Sequence, residues 1–496
     1  MTDFLSQQPS DSSIAALFAT LWLAAESWTP SERATAALPG QTFEDAVRMA
    51  LSIADEKSAC TSIYHAWEKP ASSLQHYRGQ VLAIMRLIDH TFYSIHPRTG
   101  HRTPSRSPHS RITSWLSDAR ETRAVFGAYF ESDTHRLIAR GPLSRSSRQP
   151  IANNADTLAD RFCALELVRK TLDHAGRSIA IRHTLIPADA MRGVRPSAAA
   201  GSEKIVFIPV AEDAPDISKS HIRRGGNDFV DFRMSNSIDV AGRITSALAK
   251  SSTSDIVLVP ELVVSEEDAD KIAEHLLESG TSHRMVISGS GQTRQTIDEQ
   301  PWNEARVLNG FGVELWRQRK VWPAGITRDL ALRYGLPDPG DGQIFEDTAS
   351  GHDITVIDTD GLGRCIILIC QDLQARPVAD DLIRQYQPDW VFVPIMDCGA
   401  SVERWAHRRS LELSTLSQAR FLISSSLSLA KVLEIVPLPP CGLAVGPSNP
   451  ASSSSEDAED GDRLVKEAFV DASSKPTFAT LVWRSIGWKK TFVISK

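Results

Sequence analysis

Cysteine is scarce in this chain, with six residues in 496, and no two of them form a CxxC pair. A disulfide framework is therefore excluded, and so is a metal site built on CxxC. Long apolar runs are missing too, since no uninterrupted stretch approaches the ~20 residues that span a bilayer. Residues 1–28 contain no Lys or Arg ahead of or within their apolar part, which favours a helix over a signal peptide. We expect a cytoplasmic protein with no membrane partner.

An excess of positive charge is also absent. Lys and Arg total 54 against 61 Asp and Glu, a net charge of −7, and the pI is near 6.1. Proteins devoted to nucleic acid are usually basic. Arginines do cluster with Ser and Pro between about 98 and 148, but they lack the interleaved aromatic residues of single-strand binders. These segments are typical of solvated loops, and nucleic acid is not an expected partner.

The sequence divides into two predicted domains. Residues 1–200 are expected to form a mainly α-helical domain of unknown role with Arg/Ser/Pro-rich loops. Its helices are predicted by apolar residues three and four positions apart, in segments 11–28, 42–67, 72–95 and 157–176. Thr42 is the predicted N-cap of the second segment.

Residues 203–496 have a different character. β-branched runs of strand length, such as "KIVFIPV" and "DIVLVPELVV", alternate with helical stretches. Apolar strands alternating with helices predict a layered α/β domain whose sheets are buried on both faces. A polar, acidic stretch at 448–464 predicts a loop within this domain.

Three strand ends of the second domain carry side chains suited to acyl transfer. Glu261 follows an apolar run and a proline, Lys320 ends the run after a "GFG" turn, and Cys370 closes "CIILIC". A thiol with a pKa near ~8.5 is mostly protonated at neutral pH, although the thiolate is the nucleophile. A carboxylate can take that proton, and an ammonium can stabilise an oxyanion. Together they predict a nucleophilic site, although Cys370 alone would suggest a packed core thiol.

The use of lysine sharpens this hypothesis. Lys320 is the only lysine between Lys271 and Lys431, and every other cation in that stretch is Arg. A compact ammonium can donate to a small anionic centre, where a guanidinium fork fits differently. The presence of a lysine among these arginines therefore suggests a specific chemical requirement at position 320.

Five motifs occur in order along 203–490: "VLVPELV", "NEARVLNGFGVELWRQRK", "GLGRCIILICQDL", "DWVFVPIM" and "ERWAHRRSLELSTLSQARFLISSS". Each motif alone is weak, but in this order they resemble the nitrilase, or carbon–nitrogen hydrolase, superfamily. The resemblance implies a four-layer αββα sandwich that associates into a homodimer or a larger homo-oligomer. It implies no metal and no organic cofactor.

The resemblance also implies roles for four residues. Glu261 matches the general base, Lys320 the cation that stabilises the tetrahedral intermediate, and Cys370 the nucleophile that forms a thioester. Glu346, in "GQIFEDTASG", holds the place of a second glutamate that supports the lysine and a water, although simple surface charge would also explain it.

Residues expected to contact substrate are Cys398, Trp322 and Gln371. Cys398 lies in the loop that lines the pocket in the family, and plain packing is the alternative for it. Trp322 stands where the family commonly has a histidine, two residues after the lysine. The stretch 326–343 looks like an insertion near the pocket, and we expect it to alter substrate choice.

The sequence thus predicts a cysteine-dependent hydrolase of a non-peptide C–N bond in a small amide or nitrile. One alternative is an acyltransferase, in which an amine takes the acyl group, and another is ammonia supply to a separate enzyme. A third, from another class, is a ligand-sensing or scaffolding module. In it, the N-terminal domain would bind a protein partner and carry a regulatory or effector role.

Overall fold

The computed structural model describes most of the chain, in the following ranges: 13–67, 73–96, 112–140, 158–174, 176–187, 190–191, 201–251, 253–279, 281, 283–359, 361–417, 419–447, 459–460, 463–471, 476–486 and 489–494. The chain forms two compact units, Met1–Thr171 and Leu172–Lys496. The Arg/Ser/Pro-rich segments predicted as loops and the acidic stretch 448–464 fall largely outside the described residues.

The first unit is built of helices and one small sheet. Its helices are α1 Ile14–Glu26, α2 Pro30–Ala34, α3 Gln41–Leu51, α4 Glu56–Trp67, α5 Leu74–Phe92 and α6 Ser114–Phe126. Its strands are β1 Phe130–Glu131, β2 His135–Ala139 and β3 Leu165–Arg169, paired antiparallel in that order. Apolar side chains of α1, α3, α4 and α5 form one buried core with β2 and β3.

Two local predictions in this unit are wrong. The described part of the segment 157–176 contains a 3₁₀ turn, Ala159–Arg161, and the strand β3, where a helix was predicted, because β3 pairs along its length with β2. Leu165 and Leu167 are two positions apart, so the run also fits the period of a strand, and tertiary pairing decides between the two. Helix α3 begins at Gln41 with Gly40 as its N-cap, and Thr42 lies inside the first turn.

The second unit contains two large sheets and one small one. Its strands are β4 Thr171–His174, β5 Arg177–Ile186, β6 Lys204–Phe207, β7 Ile217–Arg224, β8 Asn227–Met234, β9 Ile256–Leu258, β10 Met285–Ile297, β11 Gln300–Asn309, β12 Glu314–Arg319, β13 Gly325–Ile326, β14 Ile344–Glu346, β15 Asp353–Thr359, β16 Gly363–Ile367, β17 Trp390–Ile395, β18 Arg420–Ser425, β19 Gly442–Pro447, β20 Glu459–Asp460, β21 Arg463–Ala468, β22 Ala479–Ile486 and β23 Lys489–Ile494. The helices of this unit are α7 Val240–Lys250, α8 Glu266–Ser279, α9 Arg328–Arg333, α10 Val378–Tyr386, α11 Trp405–Ser414 and α12 Ser428–Val432.

The strand orders place parallel pairs at the centre of both large sheets. The seven-stranded sheet runs β12-β11-β10-β9-β6-β22-β23, with β10, β9 and β6 mutually parallel. The nine-stranded sheet runs β20-β21-β19-β18-β17-β16-β15-β5-β4, with β16, β17 and β18 parallel. A small sheet, β13-β14-β8-β7, completes the unit.

The two large sheets face each other between layers of helices. Strands β6 and β19 approach so closely that a Cβ added at Gly442 would lie 2.5 Å from Cγ of Phe207. Helices α7 and α8 share a buried cluster with β6, β9 and β10 on one side, and α11 contacts β18 and β19 on the other. The predicted αββα sandwich is confirmed.

The boundary between the units differs from the predicted one. It lies between Thr171 and Leu172, whereas the prediction placed it at about residue 200. Strand β5 explains the shift, because it pairs in parallel register with β15 from Asp353↔Ala180 to Thr359↔Ile186. Residues 177–186 therefore belong to the nine-stranded sheet.

Candidate functional site

Glu261 lies at the carboxyl end of a fully buried strand. The run 256–259 is apolar, and Pro260 has no backbone N–H to continue a ladder, so the chain turns there. Strand β10 crosses close to this turn: Ser290 N donates to Pro260 O at 3.1 Å. Gly289 permits the approach, because its φ is +81° and a Cβ would lie 2.3 Å from that oxygen. The carboxylate of Glu261 is thereby held at the end of the parallel strands.

Lys320 directly follows strand β12. Its backbone is held on both sides, since Lys320 N donates to Asn303 O at 2.8 Å and Gly351 N donates to Lys320 O at 2.8 Å. Its side chain is 1% exposed, which is unusual for a lysine and requires charged or polar partners.

Cys370 begins a short 3₁₀ turn, Cys370–Gln374, just after strand β16. Its φ is +49°, a backbone conformation that costs a non-glycine residue ~1–3 kcal/mol and clusters at functional sites. The residue is 8% exposed. The thiol therefore lies on a strained turn at the end of a buried strand. This is the strand-end position that the sequence predicted for Cys370.

The side chains of these three strand ends converge with a fourth residue. Lys320 Nζ donates to Glu261 Oε1 at 2.6 Å and also to Glu346 Oε2. Glu346 ends strand β14, and its Oε2 accepts from Ala324 N at 3.2 Å. The thiol of Cys370 lies near enough to Glu261, Lys320 and Glu346 to interact electrostatically with all three. The structure thus brings together all four residues for which a catalytic role was predicted.

Burial and charge set the protonation of this cluster. Burial raises the pKa of Cys370 well above its usual value, and Glu261 raises it further while Lys320 opposes the shift. Burial also raises the pKa of Glu261, against the effect of Lys320. Burial alone would lower the pKa of Lys320, but the two carboxylates hold it well above its ordinary value. The resting site therefore contains an ammonium and a protonated thiol.

Asn303, on strand β11, belongs to the site although the sequence did not single it out. Its Nδ2 donates to Glu261 Oε1 at 3.1 Å and to Glu346 Oε1 at 3.0 Å. It is buried, like the groups it contacts. Asn is depleted in strands, so an Asn inside the strand-length run before the lysine was the available signal.

Asp372 joins the turn Cys370–Gln374 to the loop after Lys320. Its carboxylate accepts from Val321 N at 3.0 Å, Trp322 N at 2.9 Å and Ile369 N at 3.1 Å. Burial raises its pKa to about 7. Asp372 therefore orients its loop through backbone amides.

The predicted substrate contacts are placed less directly. The indole of Trp322 packs edge-on against His174, with ring centroids 5.6 Å apart. Gln371 is half-buried in the turn Cys370–Gln374. Their roles toward a substrate stay predictions.

Cys398 lies beside a charged pair. Its thiol accepts from Arg404 Nη2 at 2.7 Å, and that guanidinium also donates to Asp397. Cys398 shares a buried apolar cluster with Leu262, which directly follows Glu261. It therefore borders the site without entering the charged cluster.

The insertion 326–343 contributes to the same apolar cluster. Ile326, Tyr334 and Leu336 are buried there, with Ala331 of α9. His407, in the helix α11, is buried, and its Nδ1 accepts from Glu403 N at 3.0 Å. Within the described ranges, no group of three or more His, Cys, Asp or Glu side chains is arranged to hold a metal ion. No helix in those ranges is both long and apolar enough to cross a bilayer.

No family model matches this sequence, and no curated protein matches it. Among solved structures, it is similar to Nit3 of Saccharomyces cerevisiae, a member of branch 10 of the nitrilase superfamily, at 13% identity over 57% of this chain and 92% of that one, with a TM-score of 0.32. An amidase from Nesterenkonia sp. matches at 14% identity over 46% and 78%, with a TM-score of 0.29. XC1258 from Xanthomonas campestris, a CN-hydrolase superfamily protein, matches at 14% identity over 60% and 87%, with a TM-score of 0.30.

The class defined here is an αββα sandwich with a buried Glu–Lys–Glu–Cys cluster at its strand ends. The similar solved structures belong to the superfamily that the sequence motifs resemble.

Proposed function

We propose that the second unit is a cysteine-dependent hydrolase of the carbon–nitrogen hydrolase type, acting on a small amide or nitrile. The observation that supports this most is the convergence of Glu261, Lys320 and Cys370 from three separate strand ends. A base, a cation and a thiol are the groups that acyl transfer through a thioester requires.

The protonation of the resting site points to general-base catalysis. Because the pKa of Cys370 is raised, the thiol carries its proton until a substrate arrives. Glu261 accepts this proton as Sγ attacks the carbon of an amide. The raised pKa of Glu261 suits that task, since a base works best when its pKa is near the operating pH.

Lys320 stabilises the oxygen that becomes negative. An ammonium has three N–H donors, and two of them are directed at Glu261 and Glu346. Among the described residues this leaves one donor for the oxyanion. If Lys320 behaves like other oxyanion donors, its loss would reduce turnover by ~10²–10³.

The remaining steps conserve atoms and protons. The C–N bond breaks, the leaving nitrogen takes the proton from Glu261, and an acyl thioester remains on Cys370. Water then attacks the thioester carbon while Glu261 accepts a proton from it. The acid leaves, and that proton returns to the sulfur of Cys370. For a nitrile, attack gives a thioimidate whose nitrogen takes the thiol proton. Water then adds to the thioimidate carbon and ammonia leaves, which gives the same thioester.

Ammonia release from a panel of primary amides and nitriles tests this proposal. We expect release by the wild-type protein and none by Cys370→Ala. Turnover that survives in Cys370→Ala would refute the nucleophile. Specific retention of a panel compound without turnover would favour a ligand-sensing module, and transfer of the acyl group to an added amine would favour an acyltransferase.

The assembly and the N-terminal unit are part of the proposal. We propose a homo-oligomer, which light scattering after size exclusion would measure. We also propose that the first unit binds a protein partner, because its role is not explained by the cluster in the second unit. Partner binding by the chain with both units, compared with partner binding by the same chain carrying surface substitutions in the first unit, tests this proposal.

A further inference from the structure

Asn303 makes side-chain contacts that a merely structural amide would not need. Both of its hydrogen bonds go to the carboxylates of Glu261 and Glu346, through one nitrogen. Its Oδ1 is buried and meets no hydrogen-bond donor among the described residues. A buried acceptor without a partner is costly. Among the described residues, the two carboxylates are therefore the hydrogen-bond partners that explain why a polar side chain is buried at this position.

The same residue also fixes the lysine. Asn303 O accepts from Lys320 N at 2.8 Å. Asn303 thus contacts the backbone of the cation and the side chains of both anions. It is the neutral member of a cluster of three charges.

These contacts determine how the carboxylate of Glu261 is oriented. A carboxylate offers about four acceptor positions. Glu261 Oε1 receives Lys320 Nζ and Asn303 Nδ2, and Oε2 receives Met396 N at 2.8 Å. Three positions are filled by fixed donors, and the thiol of Cys370 interacts electrostatically with the same carboxylate.

We propose that Asn303 is a positioning residue: its amide nitrogen holds Glu261 and Glu346 on either side of Lys320, so that Glu261 keeps the orientation in which it takes the thiol proton. This inference rests on the proposed function. It extends that proposal by assigning the control of the base to a residue that does not touch the substrate.

Alkylation of Cys370 by iodoacetamide tests the assignment without a known substrate. The rate constant at Cys370 is followed by peptide mass spectrometry from pH 5 to pH 10. The variants are Asn303→Leu, of similar shape without polar atoms, and Asn303→Asp, which replaces the donor by a third carboxylate. Asn309→Leu is the control, because it is the same change on the same strand and its amide bonds only backbone groups.

Loss of a donor to an ionised carboxylate raises the affinity of that carboxylate for a proton. A protonated Glu261 cannot take the thiol proton. We therefore expect the alkylation rate constant of both Asn303 variants to rise at a pH that is higher than in the wild type by about one unit or more. The rate at pH 7 should fall by ~10-fold or more, as expected for a lost hydrogen bond to a charged group. Asn309→Leu should lower thermal stability and leave the profile in place.

Superimposable profiles for wild type and both Asn303 variants would overturn the assignment, and so would an equal shift in Asn309→Leu. Failure of the proposed function has a separate signature. A wild-type protein that releases no ammonia, yet whose alkylation profile responds to Asn303, would refute the hydrolase and retain the positioning role. A wild-type protein in which Cys370 is not alkylated at any pH would refute both.

Discussion

Replacing Lys320 by Met would leave two buried carboxylates without their cation. Lys320 donates to both Glu261 and Glu346, and all three side chains are almost fully enclosed. Met has a similar length and no charge, so the substitution removes the ammonium with little change in volume. The perturbation is therefore mainly electrostatic.

The expected cost follows from the number and burial of the partners. Removing one member of a buried ion pair typically costs ~3–5 kcal/mol, because the remaining charge is left uncompensated. Here two like charges remain together, so the upper part of that range applies unless the pair takes up a proton. Typical domains have only ~5–15 kcal/mol of stability, so the loss is large but measurable.

Urea unfolding at several pH values is the assay. A buried carboxylate pair that shares one proton has a folded-state pKa above that of the unfolded chain. The stability that the proton contributes is complete below the unfolded value and is lost as the pH rises. The variant should therefore lose stability between pH 5 and pH 8, by up to ~1.4 kcal/mol per pH unit for one proton. In the wild type the pKa of Lys320 is raised, so this group stays charged throughout the range.

Two further variants control the experiment. Lys271→Met removes an exposed lysine that pairs with Glu267, and it should have little effect at any pH. Adding Glu346→Gln to Lys320→Met removes one uncompensated charge and should recover part of the stability. A Lys320→Met variant as stable as Lys271→Met, or one whose loss is independent of pH, would refute the reasoning.

Two other variants test the frame of the site. In Asp372→Asn, one acceptor of the backbone N–H groups becomes a donor, so we expect a loss of ~2 kcal/mol in urea unfolding and slower alkylation of Cys370. Because burial raises the pKa of Asp372 to about 7, the stability from its proton is lost as the pH rises from ~4 to ~7. The difference in the free energy of unfolding between the wild type and Asp372→Asn, which does not titrate, should therefore narrow over that pH range. A difference that stays constant would contradict the raised pKa of Asp372. Gly442→Ala should cost ~1–3 kcal/mol through contact with Phe207, and a neutral effect would contradict the close approach of the sheets.

Much of the site was predictable because strand ends are readable in a sequence. Apolar runs that stop at Glu261, Lys320 and Cys370 place polar side chains where the carboxyl ends of strands meet. Glu346 needed the family resemblance, since nothing in "GQIFEDTASG" marks it as buried. The positive φ of Cys370 is not encoded by a glycine and could not be predicted.

Other features depend on tertiary contacts that a local pattern does not show. Asn303 is defined by two partners 42 and 43 positions away along the chain. The strands within 157–176 carry a spacing that fits a helix as well as a sheet, and pairing with β2 decides the matter. Strand β5 joins the nine-stranded sheet by pairing with β15. No change in composition near residue 177 indicates this pairing.

Mass analysis of the protein after reaction with an amide or nitrile, quenched in acid, tests the central claim most directly. We expect the wild-type protein to be heavier by one acyl group, located on the peptide that contains Cys370, and we expect no such increase in Cys370→Ala. An acyl group on another cysteine, or turnover without any adduct on Cys370 under conditions that trap thioesters, would contradict it.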